Sequence, residues 1–505
     1  MLPRKYRSSL TVQAFGLLVA KTLAFVFAFA LPVLLTRSLS QNEYGLFKQV
    51  FLIITTATAL LPLGFGMSAY YYLPREQDLA RRGQIILNIL LFNLLMGGAA
   101  CLVLAVWPNV ISTIFRDPAM SSYASLAGVI ILLWLFSSFL ETVAVANQEL
   151  RLATVFIVAG QLTRTVLLLG AAILFDSVEA LVYAALIHGV LQSTALIWYA
   201  STRFPGFWRA FDKRLTIKQV AYALPFGLAG LLYTIQTDLH NYFVSNQFTA
   251  ATFAVYSIGV AQLPFIGILR ESVSSVMLPR ISYLQEQGLT REIVLLLANA
   301  TRKLAVVILP VYAVLMVTGR EFLTVMFTSA YAASWPIFAI NLTLLPLSLL
   351  DVDAVARAYE GHRFYLVKLQ IVLSVVMVFA LWYGIAQFGL AGAITVVVGI
   401  NFILRTLLAA RFTKVIGAKL SDLMLLKDVG KVALASAVAA LSCVFVRSLM
   451  TAGGASALVV LVVCFAVFAV IYLGAILLLG IATSDERAKV KQGVVRLKLS
   501  FVKLL

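Results

Sequence analysis

The chain has 505 residues, of which 62% are hydrophobic and 12% are charged, and its mean hydropathy is +0.98. Soluble domains carry about 25% charged residues, so this composition excludes a soluble protein and predicts an integral membrane protein. The net charge of +18 at pH 7 would favour a nucleic-acid-binding protein only if the basic residues covered a soluble surface.

Long apolar runs bounded by charged or turn-forming residues predict fourteen membrane-spanning helices, because a helix needs about 20 apolar residues to cross the hydrocarbon core. The predicted spans lie at 10–36, 44–72, 84–106, 120–141, 152–174, 179–201, 219–246, 251–278, 299–318, 335–356, 364–386, 389–411, 429–450 and 456–481. Runs such as 458–467 show no alternation of apolar and polar residues, which argues against a β-barrel. We therefore predict an all-α membrane protein.

Loop charges predict the orientation of these spans, because loops rich in Lys and Arg stay in the cytoplasm. Most of the 39 Lys and Arg residues fall on one side of the fourteen-span arrangement. The other side has only Arg37, Lys48, Arg116, Arg320 and Arg447. Both termini are therefore predicted to be cytoplasmic. Because the excess positive charge reflects topology, we expect no nucleic-acid partner.

The sequence shows no sign of a disulfide, metal or catalytic site. Cys101, Cys443 and Cys464 lie inside predicted spans without paired spacing. The first span is longer than a signal-peptide core and lacks a small-residue cleavage site, so we expect it to be retained. We find no nucleophile–base arrangement and no nucleotide-binding loop. We therefore predict a protein that is not an enzyme and has no metal or cofactor.

The two halves of the chain contain a weak internal repeat. When residue 39 is aligned with residue 248, three positions match in character: Ser40 with Thr249, Tyr44 with Phe253, and Phe47 with Tyr256. The tripeptide Leu-Pro-Arg also occurs at 73–75 and at 278–280, where it is predicted to end equivalent helices. Six spans separate the matched features, so the halves would share one orientation. This predicts an N-lobe at 1–215, a C-lobe at 216–420 and an added pair of spans with a basic tail at 421–505.

Several short motifs occur in an order that resembles a known family. They are RSLSQNEYGLF at 37–47, LPLGFGMSAYYYLPR at 61–75, Leu-Pro at 224–225, AVYSIGVAQLP at 254–264 and VMLPRIS at 276–282. With the fourteen spans, they resemble the Wzx-type polysaccharide flippases of the multidrug/oligosaccharidyl-lipid/polysaccharide exporter superfamily. The resemblance implies two six-helix lobes in a V shape, with spans 13 and 14 added.

The resemblance also implies a function. It predicts a bacterial inner-membrane protein that moves undecaprenyl-pyrophosphate-linked oligosaccharides from the cytoplasmic to the outer leaflet by alternating access. The implied partners are this lipid-linked oligosaccharide, membrane lipids, and the polysaccharide polymerase and chain-length proteins.

Basic residues inside the spans are the candidate binding groups, because a charge buried in a membrane is costly and usually functional. There are four such residues: Lys21, Arg164, Arg270 and Lys48. Lys and Arg can neutralise diphosphate oxygens with charge-assisted hydrogen bonds, so we predict that these residues bind the pyrophosphate. The alternatives are ion pairs of Arg270 with Glu271 or Glu141, and of Lys48 with Glu43.

Asp238 lies near the middle of the seventh span. Helical spacing places Thr234 and Tyr242 on its face of the helix. Gln236 and His240 lie on an adjacent face. An acid in this position could carry a coupling proton or hold Na⁺, with His240 titrating beside it. The alternative is a structural Asp238 that is hydrogen-bonded to span 1 or span 8, including a salt bridge to Lys21.

Two more acids are candidates for ion coupling or gating. Glu271 follows Arg270 in the eighth span, and Asp351 lies with Asp353 near the predicted cytoplasmic end of the tenth. An i,i+4 ion pair between Asp353 and Arg357 is the simplest account of the second acidic group. Closure of a cytoplasmic gate is the alternative.

Three other functions compete with the flippase. A cation-coupled multidrug exporter of the same superfamily would usually have twelve spans and an acidic cavity, whereas this chain has a basic interior. A lipid II flippase shares the fourteen-span plan. A membrane glycosyltransferase or O-antigen ligase would need a large outer loop, and the longest loop here, 107–123, contains Asp117 but no paired acid.

Overall fold

The computed structural model describes residues 4–209, 211–350, 352–359 and 363–481. Every regular element in these ranges is helical, which confirms the all-α prediction. The first helices are α1 (Arg4–Ser38), α2 (Gln41–Leu60), α3 (Ser68–Tyr72), α4 (Leu79–Val106), α5 (Asn109–Phe115), α6 (Ala124–Ser137), α7 (Phe139–Ala146), α8 (Leu150–Phe175) and α9 (Val178–Arg203). The later ones are α10 (Lys213–Gln247), α11 (Ala250–Gly259), α12 (Pro264–Glu286), α13 (Thr290–Phe327), α14 (Trp335–Leu342), α15 (Leu344–Leu347), α16 (Asp353–Ala358), α17 (Arg363–Val415), α18 (Lys427–Ala452) and α19 (Ala457–Leu478).

The helices form two compact units. The first comprises Met1–Pro264 and Val367–Val397, and the second comprises Phe265–Leu366 and Val398–Leu505. In the first unit α1 packs on α8, α4 on α6, and α2 on both α10 and α11. In the second unit α13, α18 and α19 pack against one another. The lobe boundaries drawn from the sequence stay a prediction.

The number of spans can be compared with the prediction of fourteen. Among the described residues, eleven helices are long and apolar enough to cross a membrane. The number rises to twelve if Gln41–Leu60 and Phe65–Arg75, which meet at a 42° bend, form one span. Two segments account for the remaining difference between twelve and fourteen. The predicted eighth span is broken at 260–263 between α11 and α12, and Phe364–Val415, predicted as two spans, is counted as a single helix of 52 residues.

The long helix α17 contains a reversal of the chain. Gly389 has φ 58° and ψ −135°, a conformation that glycine adopts without steric cost. A Cβ atom placed on Gly392 would lie 1.9 Å from the carbonyl oxygen of Gly384. In a straight helix, residues eight apart are separated by about 12 Å. The chain therefore turns back at Gly389, as the prediction of separate spans at 364–386 and 389–411 requires.

The aligned repeat positions occupy equivalent places in α2 and α11. The Ser40 hydroxyl accepts a hydrogen bond from the Glu43 backbone amide, and the Thr249 hydroxyl accepts one from the Thr252 amide, so both residues cap a helix. The aromatic residues that follow each cap in the alignment are all buried. The two helices also touch closely, since a Cβ atom on Gly45 would lie 1.9 Å from the Ala250 carbonyl oxygen.

The two Leu-Pro-Arg stretches differ in structure. The first forms the 3₁₀ turn Leu73–Arg75 at the end of a helical segment, as predicted. The second lies inside α12, which continues to Glu286, so the prediction that it ends a helix is wrong. A membrane helix can tolerate the loss of the one backbone hydrogen bond that Pro279 removes. The chain leaves the helical conformation at Gly288, where φ is +68°.

Candidate functional site

Three of the predicted ionisable residues lie near one another inside the first unit. Lys48 on α2 is partly buried, and the charges of Arg164 on α8 and Asp238 on α10 both act on it. In the described part of the chain Lys48 forms no ion pair within 4 Å, so the predicted alternative pairing with Glu43 does not occur. Glu43 instead accepts hydrogen bonds from Ser40 at the helix start. Lys48, Arg164 and Asp238, which we call the charged cluster, carry two positive charges and one negative charge.

Asp238 is held by α2. The Thr56 hydroxyl donates a hydrogen bond of 3.1 Å to Asp238 Oδ2. One turn further along α10, the Tyr242 hydroxyl donates to the Leu52 carbonyl oxygen at 3.4 Å. Asp238 and Tyr242 therefore share the face of α10 that packs on α2, as their spacing predicts. The partner of Asp238 therefore lies in the second span and not in span 1 or span 8, and Asp238 is not paired with Lys21.

The neighbouring face of α10 binds two other helices. Gln236 donates from its side-chain amide to the Gln370 carbonyl oxygen at 2.9 Å and to the Ser374 hydroxyl at 3.0 Å, both on α17. His240 is buried, and its Nδ1 lies 2.8 Å from the Tyr256 hydroxyl on α11. These contacts fix the rotation of α10 about its axis, which in turn aims Asp238 at α2. A titrating role for His240 stays a prediction.

Arg164 is held by aromatic rings instead of a carboxylate. Its guanidinium carbon lies 4.6 Å from the centre of the Trp134 ring and 5.9 Å from that of Phe51. The Trp134 ring is fixed by a hydrogen bond of 3.1 Å from Nε1 to the Ala185 carbonyl oxygen. Among the described residues Arg164 has no ion-pair partner, and its buried Nε has no acceptor. Buried charges are normally paired, so the open N–H groups of Arg164 are suited to an anionic ligand.

His188 lies beside the same tryptophan. The ring centres of His188 and Trp134 are 5.8 Å apart at nearly a right angle. The His188 Nδ1 atom is buried and has no partner in the part of the chain that the structure describes. The position of His188, one ring away from Arg164, was not predicted from the sequence.

Lys21 lies in a separate polar group. Its ammonium group is 3.5 Å from Glu141 Oε1, and the two side chains are 54% and 44% exposed. Glu141 is therefore the partner of Lys21. An ion pair with this much exposure contributes little energy and can exchange partners readily. Lys21 thus remains a cation that an anionic ligand can recruit.

The remaining candidates lie elsewhere. Arg270 and Glu271 are on α12 in the second unit, where Arg270 is partly buried beside Met277 and Thr301, and Glu271 is exposed. Their part in binding or gating stays a prediction. Asp351 lies outside the described residues.

Sequence reasoning missed the hydrogen bond from Thr56 to Asp238. A threonine inside a membrane helix usually donates to a backbone carbonyl one turn earlier, as Thr55 does to Phe51 and Thr58 does to Ile54. Thr56 differs only because Asp238, 182 residues away in the chain, lies opposite it. No local pattern distinguishes these threonines, so only the fold could identify Thr56.

The described helices define a multi-pass membrane protein, and its fold is shared by transporters of the multidrug/oligosaccharidyl-lipid/polysaccharide exporter superfamily. Residues 34–336 match the model of the polysaccharide biosynthesis protein family, which is more than half of the chain. The chain therefore belongs to this family, and the resemblance inferred from its motifs is confirmed. No match was found among the curated proteins.

Solved structures share the fold at low sequence identity. The lipid II flippase MurJ in an inward closed conformation superposes with a TM-score of 0.71 at 13% identity, covering 90% of this chain and 97% of MurJ. An inward-facing multidrug resistance MATE transporter has a TM-score of 0.58 at 14% identity, over 79% of this chain and 96% of its own. A Pyrococcus furiosus transporter of the same superfamily, described as having a binding pocket of reversed polarity, has a TM-score of 0.53 at 15% identity, over 81% and 96%.

Proposed function

We propose that the protein is a flippase that moves undecaprenyl-pyrophosphate-linked oligosaccharide from the cytoplasmic to the outer leaflet of the bacterial inner membrane. Family membership supports a role in polysaccharide synthesis, and the fold is one that transporters use. The observation that supports a diphosphate-containing substrate is the state of Arg164. This cation lies within the first unit, and no carboxylate among the described residues forms an ion pair with it. A polysaccharide polymerase and chain-length proteins would then act on the product at the outer leaflet, while both termini stay in the cytoplasm.

The charged cluster can bind a diphosphate by direct donation. Arg164 offers N–H groups in a fixed plane, and Lys48 offers a mobile ammonium group with three donors. Both lie in surroundings of low dielectric constant, where a charge-assisted hydrogen bond is stronger than in water. Lys21 can join them by leaving its exposed partner Glu141.

Asp238 can link transport to an ion gradient. Its carboxylate attracts Lys48, and its hydrogen bond to Thr56 keeps it in place. When H⁺ or Na⁺ binds to Asp238, this attraction weakens and Lys48 can turn fully to the diphosphate. When the ion leaves, Asp238 attracts Lys48 again and favours release of the substrate. The coupling ion therefore controls substrate affinity through a single lysine.

Lipid II is the second candidate substrate. The large overlap with a lipid II flippase favours it, since 90% of this chain superposes on that structure. Lipid II and the oligosaccharide lipid share a polyprenyl diphosphate, so the charged cluster suits either. The family match favours the polysaccharide precursor.

A transport assay in sealed vesicles tests the proposal. The purified protein is reconstituted, and the leaflet that holds a pyrophosphate-linked oligosaccharide is monitored over time beside lipid II and a cationic drug. We expect the oligosaccharide lipid to change leaflet fastest. Faster movement of lipid II would identify lipid II as the substrate. Movement of the drug alone would contradict a flippase function.

Replacing Asp238 by Asn should uncouple transport from the ion gradient. Asparagine keeps the size of the side chain and can still accept a hydrogen bond from Thr56, but it cannot be protonated and binds Na⁺ weakly. We expect exchange of substrate without a gradient to continue, while stimulation by an imposed H⁺ or Na⁺ gradient disappears. Asp176→Asn, at an exposed position, is the control. A normal response of Asp238→Asn to both gradients would exclude the coupling role.

A further inference from the structure

The second unit contains a cavity near one end of its helices. The cavity has a volume of about 500 Å³ and lies between the C-terminal parts of α13 and α18 and the beginning of α19. Its lining includes Arg320, Thr324, Arg447, Ser448 and Thr451. One water molecule takes about 30 Å³ of the liquid, so the cavity has room for a group much larger than a single ion.

An ion pair forms one wall of this cavity. Arg447 donates from Nε and Nη2 to the same oxygen of Glu321, at 2.9 and 2.8 Å. The Glu321 side chain is buried, whereas the Arg447 side chain is 34% exposed. The Nη1 group of Arg447 has no partner in the described residues and is not among the buried polar atoms. Arg447 is therefore oriented by Glu321 and retains a free donor edge.

Arg320 supplies a second free guanidinium group. Arg320 precedes Glu321 on α13 and its side chain is exposed. Its guanidinium group makes no hydrogen bond or ion pair in the part of the chain that the structure describes. Two arginines and one glutamate leave the lining with a net charge of +1. Guanidinium groups with free N–H edges match the geometry of phosphate oxygens. The ligand expected from this chemistry is a phosphate with one net negative charge.

The adjacent surface of α18 favours a lipid over a soluble phosphate. Leu441, Val444, Ser448 and Thr451 are spaced at i, i+3, i+7 and i+10 and therefore lie on one face of the helix. Leu441 and Val444 are 70% and 50% exposed, and the face changes from apolar to hydroxyl-bearing at the cavity. Arg447 is five residues from the end of α18 at Ala452, a distance of about 8 Å, which suits the level of lipid head groups.

We propose that this cavity binds the phosphate head group of an anionic phospholipid. Arg320 and the free edge of Arg447 hold the phosphate, Ser448 and Thr451 contact the glycerol part, and an acyl chain lies along Leu441 and Val444. Glu321 acts as a positioning residue for Arg447. The bound lipid would join α18 to α13 on the side of the membrane that the loop charges predict to face away from the cytoplasm.

Lipid binding to the intact purified protein tests the proposal. Retention of phosphatidylglycerol is measured by native mass spectrometry, beside phosphatidylcholine, for the wild type and for Arg320→Gln. Loss of one charge-assisted hydrogen-bonding group should weaken phosphatidylglycerol binding roughly tenfold. Arg116→Gln, which removes another exposed arginine on the same predicted side, should have no effect. Thr451→Phe, which fills the cavity without changing its charge, should weaken binding as Arg320→Gln does.

Several outcomes would overturn the site. Equal phosphatidylglycerol retention by the wild type and Arg320→Gln would remove Arg320 from it, and equal retention by Thr451→Phe would show that the cavity is not the binding place. Displacement of phosphatidylglycerol by millimolar inorganic phosphate would identify a site for soluble anions. Equal binding of phosphatidylcholine would contradict a site selective for net negative charge.

Discussion

Replacing Arg164 by Gln should reduce oligosaccharide-lipid transport at least tenfold while the protein remains folded. A hydrogen bond to a charged group contributes about 1.5–3 kcal/mol, which corresponds to a factor of roughly 10 to 100. Arg164 stacks on Trp134 but has no ion-pair partner among the described residues, so little stability depends on its charge. The thermal unfolding midpoint of the variant should therefore equal or exceed that of the wild type. Transport is measured by leaflet-resolved assay in sealed vesicles.

Two further variants make this test specific. Arg151 lies on the same helix but is exposed, so Arg151→Gln should transport normally. Arg164→Lys restores the charge without the planar group that stacks on Trp134, and we expect intermediate transport. Normal transport by Arg164→Gln would remove Arg164 from the binding site. A loss of transport that is accompanied by unfolding would assign Arg164 a structural role.

Replacing Gly45 by Ala should prevent correct packing of the first unit. The added Cβ atom would lie 1.9 Å from the Ala250 carbonyl oxygen, which belongs to the backbone of α11 and cannot rotate away. Helices α2 and α11 would have to separate. Overpacking of this kind usually costs about 1–3 kcal/mol and sometimes more. We expect a lower thermal midpoint and a smaller yield of monodisperse protein in detergent.

A matched glycine on another helix provides the control. Gly98 lies within α4, and a Cβ atom there would meet nothing within 4 Å. Gly98→Ala should be neutral or slightly stabilising, since alanine is favoured over glycine inside a helix by about 0.5–1 kcal/mol. Equal stability of Gly45→Ala and the wild type would show that α2 and α11 pack less closely than the structure indicates.

Local features of the fold were largely predictable. The apolar runs predicted most helices to within a few residues, because crossing a hydrocarbon core demands a long apolar segment and satisfied backbone hydrogen bonds. The equivalence of Ser40 and Thr249, which both cap a helix, could also be inferred by aligning the residues that follow them. The end of α12 was misplaced because a proline inside an apolar run has the same local signature whether the helix stops or continues.

The candidate site was predictable only as a set of residue types. Lys48, Arg164 and Asp238 could be selected because ionisable residues are rare inside membrane spans. Their grouping could not be predicted, because the three residues lie on different helices and are more than seventy residues apart from one another along the chain. The pairing of Lys21 with Glu141 similarly depends on how two distant helices face each other.

The sequence by itself determined that this is an all-helical membrane protein of the polysaccharide biosynthesis family with basic residues inside its spans. Those properties follow from composition, from the length of apolar runs and from short motifs, all of which are local. Only the tertiary structure decided that Arg164 stacks on Trp134, that Thr56 holds Asp238, and that Glu321 orients Arg447 beside a cavity. Each of these contacts joins side chains from different helices, and their rotation and depth are set by packing that no local pattern records.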